Sequence, residues 1–308
     1  MRTAYFLVGP TATGKTAVAN ELARRTGAIV LSADSMLVYR GMDIGTAKPA
    51  PEELAGIDFR GANLAAPCEE FNAGKWLEAA NAAFAEARIS KRRIIVAGGT
   101  GLYVNALIRG LDAPAPHDPA LRAELETLPL PELAARAEKL APGSVASLSD
   151  PQNPRRLIRL IESQNPDEKQ RTSADFSCVS AVVAGLDFNG DADSYHRRIL
   201  DRAQKMFADG LLEETARLRR DNPEFSRTAG KGIGYAEALA VLDGAMTAGE
   251  AIAKTALRTR QLAKRQRTWF RRQLTVKWVQ SPHAAEDIPR AADEVAAIWK
   301  QYGGVEIK

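Results

Sequence analysis

Short, uniformly apolar runs alternate with amphipathic segments through the first hundred residues. The runs at 5–8, 28–31 and 94–97 predict strands, and the segments at 14–25 and 76–88 have the spacing of helices. Strands without polar alternation are typical of parallel sheets that are covered on both faces. The pattern therefore predicts an α/β fold with a doubly wound parallel sheet.

The sequence pattern changes after residue 112, where alanine- and leucine-rich helical segments replace the alternation of strands and helices. Asp118 followed by Pro119 is a typical helix start, and a further helix is predicted over 154–161. Residues 179–188 return to a strand pattern, so the helical part reads as an insertion into one α/β unit. We therefore expect a core formed by residues 1–115 and 179–308, and a helical insertion at 116–178.

Composition excludes several classes of protein. The 308 residues are 45% hydrophobic and 26% charged, which is ordinary for a globular chain and unlike a disordered or collagen-like one. No apolar run approaches the roughly 20 residues that a membrane-spanning helix needs. The apolar stretch at 5–8 is too short for the core of a signal peptide. With two distant cysteines and three scattered histidines, we expect neither a disulfide framework nor a zinc site. We also expect the protein to be a cytoplasmic monomer.

The positive charge of the chain is concentrated in one segment. The net charge is +4, yet residues 255–273 contain seven basic residues and no acidic one, and the remainder has 35 basic against 38 acidic residues. Charge runs are usually solvated helix faces. Seven cations in one helix-length segment repel each other, however, and a phosphate backbone would neutralise them. This segment favours a polyanionic partner.

A phosphate-binding loop follows the first predicted strand. The sequence matches GxxxxGK[ST] and leads directly into a helical pattern, which is the context that this motif requires. Backbone N–H groups of such a loop surround an anion, the lysine reaches phosphoryl oxygens, and the hydroxyl of the last residue holds Mg²⁺. The predicted phosphate-binding residues are Gly9, Pro10, Thr11, Ala12, Thr13, Gly14, Lys15 and Thr16.

The residues after the later strands do not fit a simple ATPase. Such an enzyme carries an acid at the end of a later apolar strand, whereas the strand at 94–97 runs into Gly98-Gly99-Thr100-Gly101. The nearest carboxylate is Asp34, just past the second strand. A P-loop kinase acting on a small metabolite or a nucleic-acid end remains an alternative, and a non-enzymatic RNA-binding protein is a weaker one.

Seven blocks, in order along most of the chain, resemble those of bacterial tRNA dimethylallyltransferases. The phosphate loop is generic, but the stretches from 34 to 49 and from 263 to 271 are much more specific. The blocks are residues 9–16, 32–35, 38–49, 98–103, 153–156, 232–235 and 263–271. Leu37 departs from the pattern where a glutamine is frequent, and Ala236 where a basic residue is frequent.

The resemblance implies a P-loop NTPase-like fold whose helical insertion grips the anticodon stem-loop of tRNA. It implies transfer of a dimethylallyl group from dimethylallyl diphosphate, with Mg²⁺, to the exocyclic amine of the adenosine 3′ to the anticodon. Asp34 is then the general base, and Thr100 assists at the reacting centre. Arg202 joins the phosphate loop in binding the diphosphate.

The resemblance also implies contacts with tRNA. Blander interpretations compete at several positions: Asp34 as a helix N-cap after the second strand, Thr100 as a helix N-cap, Tyr235 as a core residue, and at least one of Trp269 and Phe270 in the core. The residues expected to contact tRNA are Asp34, Ser35, Met36, Leu37, Thr100, Arg122, Arg155, Arg156, Arg159, Lys231, Gly232, Ile233, Gly234, Tyr235, Lys264, Arg265, Gln266, Arg267, Thr268, Trp269, Phe270 and Arg271.

Overall fold

The computed structural model describes residues 2–111, 118–148, 150–164, 181–188, 192–222 and 224–307. By its internal contacts the chain divides into two units, residues 1–110 with 178–308, and residues 111–177. The limits expected from the sequence, at 115/116 and 178/179, lie outside the described residues. Each unit has its own apolar core and is described separately.

The larger unit is built on a sheet whose strands run in the order β3-β2-β4-β1-β5-β6. These neighbours pair in parallel, and β7 pairs antiparallel with the first residues of β1. The predicted α/β fold with a parallel sheet is thus confirmed. The strands are β1 (Arg2–Val8), β2 (Ile29–Ser32), β3 (Phe59–Arg60), β4 (Ile94–Gly98), β5 (Val182–Asp187), β6 (Thr275–Gln280) and β7 (Val305–Ile307).

Helices cover both faces of this sheet. Phe6 and Val8 of β1 enter one apolar cluster and Leu7 enters the other, because successive side chains of a strand point to opposite faces. Uniformly apolar strands are the consequence of this double burial. The helices of this unit are α1 (Lys15–Thr26), α2 (Ala73–Ile89), α3 (Gly101–Arg109), α8 (Ala192–Ala208), α9 (Leu211–Asp221), α10 (Tyr235–Leu242), α11 (Ala248–Gln273) and α12 (Ile288–Tyr302).

The smaller unit is helical in its described part. Its core is formed by Leu125, Leu133, Leu157 and Ile161, which project from three different helices. The predicted helix start at Asp118 is confirmed, since its carboxylate accepts from the N–H groups of the second and third helical residues. The helices are α4 (Pro119–Thr127), α5 (Leu130–Leu140), α6 (Ser144–Ser147) and α7 (Pro154–Glu162).

The parallel sheet determines where a site can form. Strands β1, β2, β4 and β5 all end at the same edge, and the segments that follow them are the phosphate loop, residues 33–38, residues 99–100 and Phe188. In open parallel sheets ligands bind at this carboxyl edge. Among the residues that the structure describes, no helix is long and apolar enough to cross a membrane.

Candidate active site

Two adjoining cavities open at the carboxyl edge of the sheet. The phosphate cavity, about 300 Å³, is lined by residues 11–17 of the phosphate loop and α1 and by two arginines of α8. The apolar cavity, about 420 Å³, is lined mainly by side chains of α8 and α11. Six residues line both, and they mark the junction: Thr11, Asp34, Thr46, Gly99, Arg202 and Gln266.

The phosphate loop is closed on itself and leads into a helix N-terminus. The Thr13 hydroxyl donates to the Pro10 carbonyl at 2.9 Å, and Lys15 Nζ donates to the same carbonyl at 2.5 Å. Lys15 and Thr16 form the first turn of α1, where the positive end of the helix dipole favours an anion. The loop therefore has the architecture that its motif predicts.

The lysine of the loop is in an unusual electrostatic environment. Burial lowers the pKa of Lys15 to about 8, and the nearby Arg202 charge acts in the same direction. The Asp34 carboxylate partly opposes this shift. Burial likewise lowers the pKa of Arg202. Two cations in one small cavity disfavour each other, so a polyanionic ligand between them would relieve both.

Asp34 lies in a turn after β2, at the junction of the two cavities. Its Oδ1 accepts from the Met36 N–H at 2.9 Å, so the carboxylate has a fixed orientation. The cap in the alternative interpretation is thus a turn and not a helix start. A local structural role and a chemical role are compatible here, because the same carboxylate also lines both cavities.

Thr100 connects two of the loops at this edge. It occupies the N-cap position of α3, but its side chain makes no capping hydrogen bond to that helix. Its hydroxyl oxygen instead accepts from the Ser35 N–H at 3.0 Å. Its own N–H donates to the Ala33 carbonyl at 3.0 Å. The hydroxyl therefore holds the Asp34 turn against the turn that follows β4.

Two arginines of α8 complete the phosphate cavity. Arg202 donates to the Thr46 carbonyl at 3.3 Å, and Arg198, one helical turn away, donates to the Pro282 carbonyl at 2.6 Å. Carbonyl partners orient the guanidinium groups without neutralising them. Arg202 was predicted to bind the diphosphate, whereas no role was predicted for Arg198; its i, i+4 spacing from Arg202 is the sequence signal for it.

The apolar cavity has a different wall chemistry. Met36, Ile199, Met206, Ile233 and Leu262 contribute side chains to it. Trp269 contributes a half-buried ring, which packs so closely on Gly101 that a Cβ there would lie 2.5 Å from the ring. A cavity of this kind accepts an apolar group or a flat aromatic ring next to the Asp34 carboxylate.

Comparison with known proteins identifies the family. An IPP transferase family model matches residues 37–273, and an isopentenyl transferase model matches residues 2–60. The chain belongs to the IPP transferase family. The resemblance found in the sequence blocks is therefore confirmed.

Individual relatives match nearly the whole chain. A tRNA dimethylallyltransferase of Anaeromyxobacter sp. (strain K) is 40% identical over 92% of this chain and 95% of that protein. One of Deinococcus radiodurans is 37% identical over 92% and 94%. The solved full-length tRNA isopentenylpyrophosphate transferase of Bacillus halodurans is 31% identical, with a TM-score of 0.70 over 98% of both chains.

The basic segment at residues 255–273 lies on α11 and has two faces. Lys264, Arg265 and Thr268 are exposed. Arg267 instead makes a bidentate ion pair with the buried Asp187, at 2.7–3.0 Å, and Arg271 approaches the same carboxylate at 3.4 Å. Arg267 and Arg271, which were predicted to contact tRNA, thus share a buried carboxylate at the end of β5 as an ionic partner.

Several residues predicted to contact tRNA are buried. Tyr235 and Phe270 are fully buried, and Leu37 is 5% exposed. The Tyr235 hydroxyl donates to Glu214 at 2.6 Å, and it accepts from the Gly45 N–H. Tyr235 and Phe270 are thus core residues, as the blander interpretation had it, although Phe270 also lines the apolar cavity. Gly232 and Gly234 are buried beside them, whereas Lys231 is exposed.

The predicted cations of the smaller unit lie on two helices. Arg155, Arg156 and Arg159 occupy the exposed side of α7, opposite its buried leucine and isoleucines, and the Asn153 side chain caps this helix. Arg122 of α4 faces the buried Glu162 at 3.4 Å. Arg122 thus has an ionic partner within its own unit, and the contacts of these arginines with tRNA stay a prediction.

Asp187 is a further residue to which the sequence analysis gave no role. It ends an apolar strand, which is the position where an acid was sought after β4 and not found. Looking for an acid at the end of the strand pattern at 179–188, as was done for the strand at 94–97, would have identified Asp187. Its carboxylate binds arginine, however, so it serves to hold α11 in place.

Proposed function

We propose that this protein transfers a dimethylallyl group from dimethylallyl diphosphate to the exocyclic amine of the adenosine 3′ to the anticodon in tRNA. The product is N6-isopentenyladenosine. The observation that carries the proposal is the position of Asp34 at the junction of a cationic cavity and an apolar one. The names of the curated relatives, tRNA dimethylallyltransferases, support it.

The phosphate cavity suits the diphosphate group. Lys15, Arg198 and Arg202 supply positive charge there, together with the N-terminus of α1. Negative charge develops on the bridging oxygen as the bond to the allylic carbon breaks, and preorganised cations stabilise that charge. The dimethylallyl tail would then extend into the apolar cavity.

Asp34 would act on the nucleophile. The exocyclic amine of adenine is weakly nucleophilic because its lone pair is delocalised into the ring. A carboxylate in hydrogen-bond reach removes the amine proton as the new C–N bond forms, which raises the reactivity of the nitrogen. The hydrogen bond from Met36 and the Thr100–Ser35 contact hold this carboxylate's turn in place. The target base must leave its stack to enter the cavity.

The donor set fits Mg²⁺. Among the described residues, no group of three or more acidic, histidine or cysteine side chains forms a metal site. The Thr16 hydroxyl lines the phosphate cavity at the first turn of α1. Mg²⁺ commonly binds through few protein ligands, substrate phosphates and water, so Thr16 and the diphosphate would hold it. Bound there, the ion adds positive charge for the leaving group.

The exposed cations would bind the anticodon stem-loop. Lys231, Lys264 and Arg265 in the larger unit, and the arginines of α7 in the smaller one, are exposed. Such contacts to a phosphate backbone position RNA without reading its sequence. We propose that the enzyme acts in the cytoplasm as a monomer.

Nucleoside mass spectrometry tests this function directly. Unmodified tRNA is incubated with the protein, Mg²⁺ and dimethylallyl diphosphate, and a second sample receives ATP in place of the prenyl donor. We expect a prenyl mass gain on adenosine in the first sample only. Phosphate transfer from ATP without prenylation would instead identify a kinase.

A further inference from the structure

The backbone of Thr11, in the middle of the phosphate loop, is held on both sides. Its N–H donates to Gln266 Oε1 at 2.8 Å, and its carbonyl accepts from the Tyr195 hydroxyl at 2.7 Å. These partners come from α11 and α8, far from the loop in sequence. Because both backbone polar groups are engaged, Thr11 cannot rotate its backbone without losing a hydrogen bond.

The next residue needs such support. Ala12 has a φ of 62°, in the left-handed region that alanine rarely adopts. Its methyl group is buried in an apolar cluster with Phe188, Tyr195 and Ile199. An unfavourable backbone conformation persists only where its surroundings enforce it. The two hydrogen bonds at Thr11 and this packing are the enforcing contacts.

Gln266 also binds the second loop of the site. Its Nε2 donates to the Gly99 carbonyl at 3.0 Å, so one amide side chain joins the phosphate loop to the turn that carries Thr100. The approach is close: a Cβ on Gly99 would lie 2.4 Å from Nε2. Residue 99 therefore has to be glycine for Gln266 to reach both loops.

Tyr195 is itself fixed by a buried network. Phe188 stacks on its ring with centroids 4.9 Å apart, and the Arg267 guanidinium lies 5.4 Å from the ring centroid. Arg267 is held in turn by its bidentate pair with Asp187. The inward face of α11 thus supports the phosphate loop through Gln266 directly and through Tyr195 indirectly.

We propose that Tyr195 and Gln266 are positioning residues that hold the phosphate loop in its anion-binding conformation. This inference rests on the proposed function only in taking the ligand of the loop to be a diphosphate. Both side chains act through the backbone of Thr11, and Gln266 acts also on the turn of Thr100. The inward half of the basic segment then serves the diphosphate site, and its outward half serves RNA.

Two substitutions separate this role from general stability. Tyr195→Phe removes one hydroxyl and keeps the ring in its stack. Gln266→Leu keeps the side-chain size and leaves the Thr11 N–H and the Gly99 carbonyl without their partner. Tyr302→Phe, at a partly exposed tyrosine at the end of α12, is the matched control. Titration calorimetry measures the binding of inorganic diphosphate with Mg²⁺, and of an anticodon stem-loop, to each full-length variant.

We expect the Kd for diphosphate to rise about three- to tenfold in Tyr195→Phe, and at least as much in Gln266→Leu. The Kd for the stem-loop in Tyr195→Phe, and both Kd values in Tyr302→Phe, should stay within about twofold of wild type. Unchanged diphosphate binding in both variants would overturn the inference, and so would parallel losses of diphosphate and stem-loop binding in Tyr195→Phe.

The same experiment distinguishes the inference from the proposed function. A wild-type protein that binds diphosphate, and variants that lose it, support the positioning role even if no prenylated adenosine forms. In that case the proposed function alone is wrong. A wild-type protein without affinity for diphosphate would contradict both.

Discussion

The phosphate cavity and the outer face of α11 both present positive charge, but they do so by different physical means. In the cavity, Lys15 and Arg202 are largely enclosed and bonded to backbone carbonyls. On the helix, Lys264 and Arg265 are exposed. Enclosed charges interact strongly with a ligand of defined shape, whereas exposed ones are screened by salt. The first region therefore suits a small anion, and the second suits a long one.

The largest effect should come from the carboxylate at the junction of the cavities. We expect Asp34→Asn to lower the turnover number by about two to four decades, because an amide cannot accept the amine proton. Asn keeps a side-chain oxygen for the Met36 N–H, so the turn should survive. Single-turnover kinetics with tRNA and dimethylallyl diphosphate measure the change.

Asp34→Ala is the matched comparison, since it removes the turn's hydrogen bond as well. Both variants should bind diphosphate and tRNA nearly as wild type does. If Asp34→Asn were as active as wild type, the carboxylate would be only a structural cap.

The sequence predicts the phosphate loop, but it does not predict the long-range contacts that complete the site. The phosphate loop is a local motif, so eight consecutive residues specify its backbone and indicate a phosphate group as its ligand. The contact between Thr100 and Ser35 joins residues 65 positions apart, and no local pattern predicts it.

Strands β3 and β7 went unrecognised in the sequence because they have only two and three residues. Strand β6 also went unrecognised, because its alternating, half-exposed pattern differs from the uniformly apolar pattern of the central strands.

The two faces of α11 show where sequence information was present but incomplete. Ala256, Ala263 and Phe270 repeat at seven-residue spacing and are all buried. That stripe places Gln266 and Arg267 on the inward side, because residues three or four apart share a face. What the stripe cannot supply is the partner. Asp187 lies 80 residues away, and only the tertiary fold brings it to Arg267.

Substitution of Arg267 tests whether the inward cations of α11 contribute more to stability than the outward ones. Arg267→Ala leaves the Asp187 carboxylate, 2% exposed, with the more distant Arg271 as its one remaining ionic partner among the described residues. We expect the free energy of unfolding to fall by about 2–4 kcal/mol, because a buried charge loses its main partner. Urea denaturation measures it.

Two further variants test the cause of that loss. Lys264→Ala, on the outward face, should change the unfolding free energy by less than about 0.5 kcal/mol. Asp187→Asn in the Arg267→Ala background should recover part of the stability, because it removes the unpaired charge. Equal losses for Arg267→Ala and Lys264→Ala would show that α11 does not have the two faces described here.

The pH dependence of diphosphate binding should follow Lys15. Its pKa is lowered by burial to about 8, so the ammonium form is present below that pH and is lost as the pH rises through it. Affinity for dimethylallyl diphosphate should therefore fall above about pH 8, by at most about tenfold per pH unit. In Lys15→Arg the guanidinium stays charged, and this decline should disappear.

The same pKa shift has a consequence for stability with the opposite sign. Between about pH 8 and the ordinary value of 10.5, the unfolded chain binds more protons at Lys15 than the folded protein does. The contribution of Lys15 to the free energy of unfolding should therefore rise with pH in this window. Thermal unfolding of wild type and Lys15→Met across this range measures it; parallel curves would contradict the lowered pKa.

The smallest effect concerns a single exposed cation of α11. The affinity for an anticodon stem-loop should fall with salt on a log–log plot, with a slope of about −0.7 to −0.9 per phosphate contacted. Lys264→Ala should make that slope shallower by about one such unit and leave the Kd for inorganic diphosphate unchanged. Exposed cations contribute through counterion release, so their loss acts on RNA alone. If Lys264→Ala weakened diphosphate binding as much as Gln266→Leu does, the outward face would not be separate from the support of the phosphate loop.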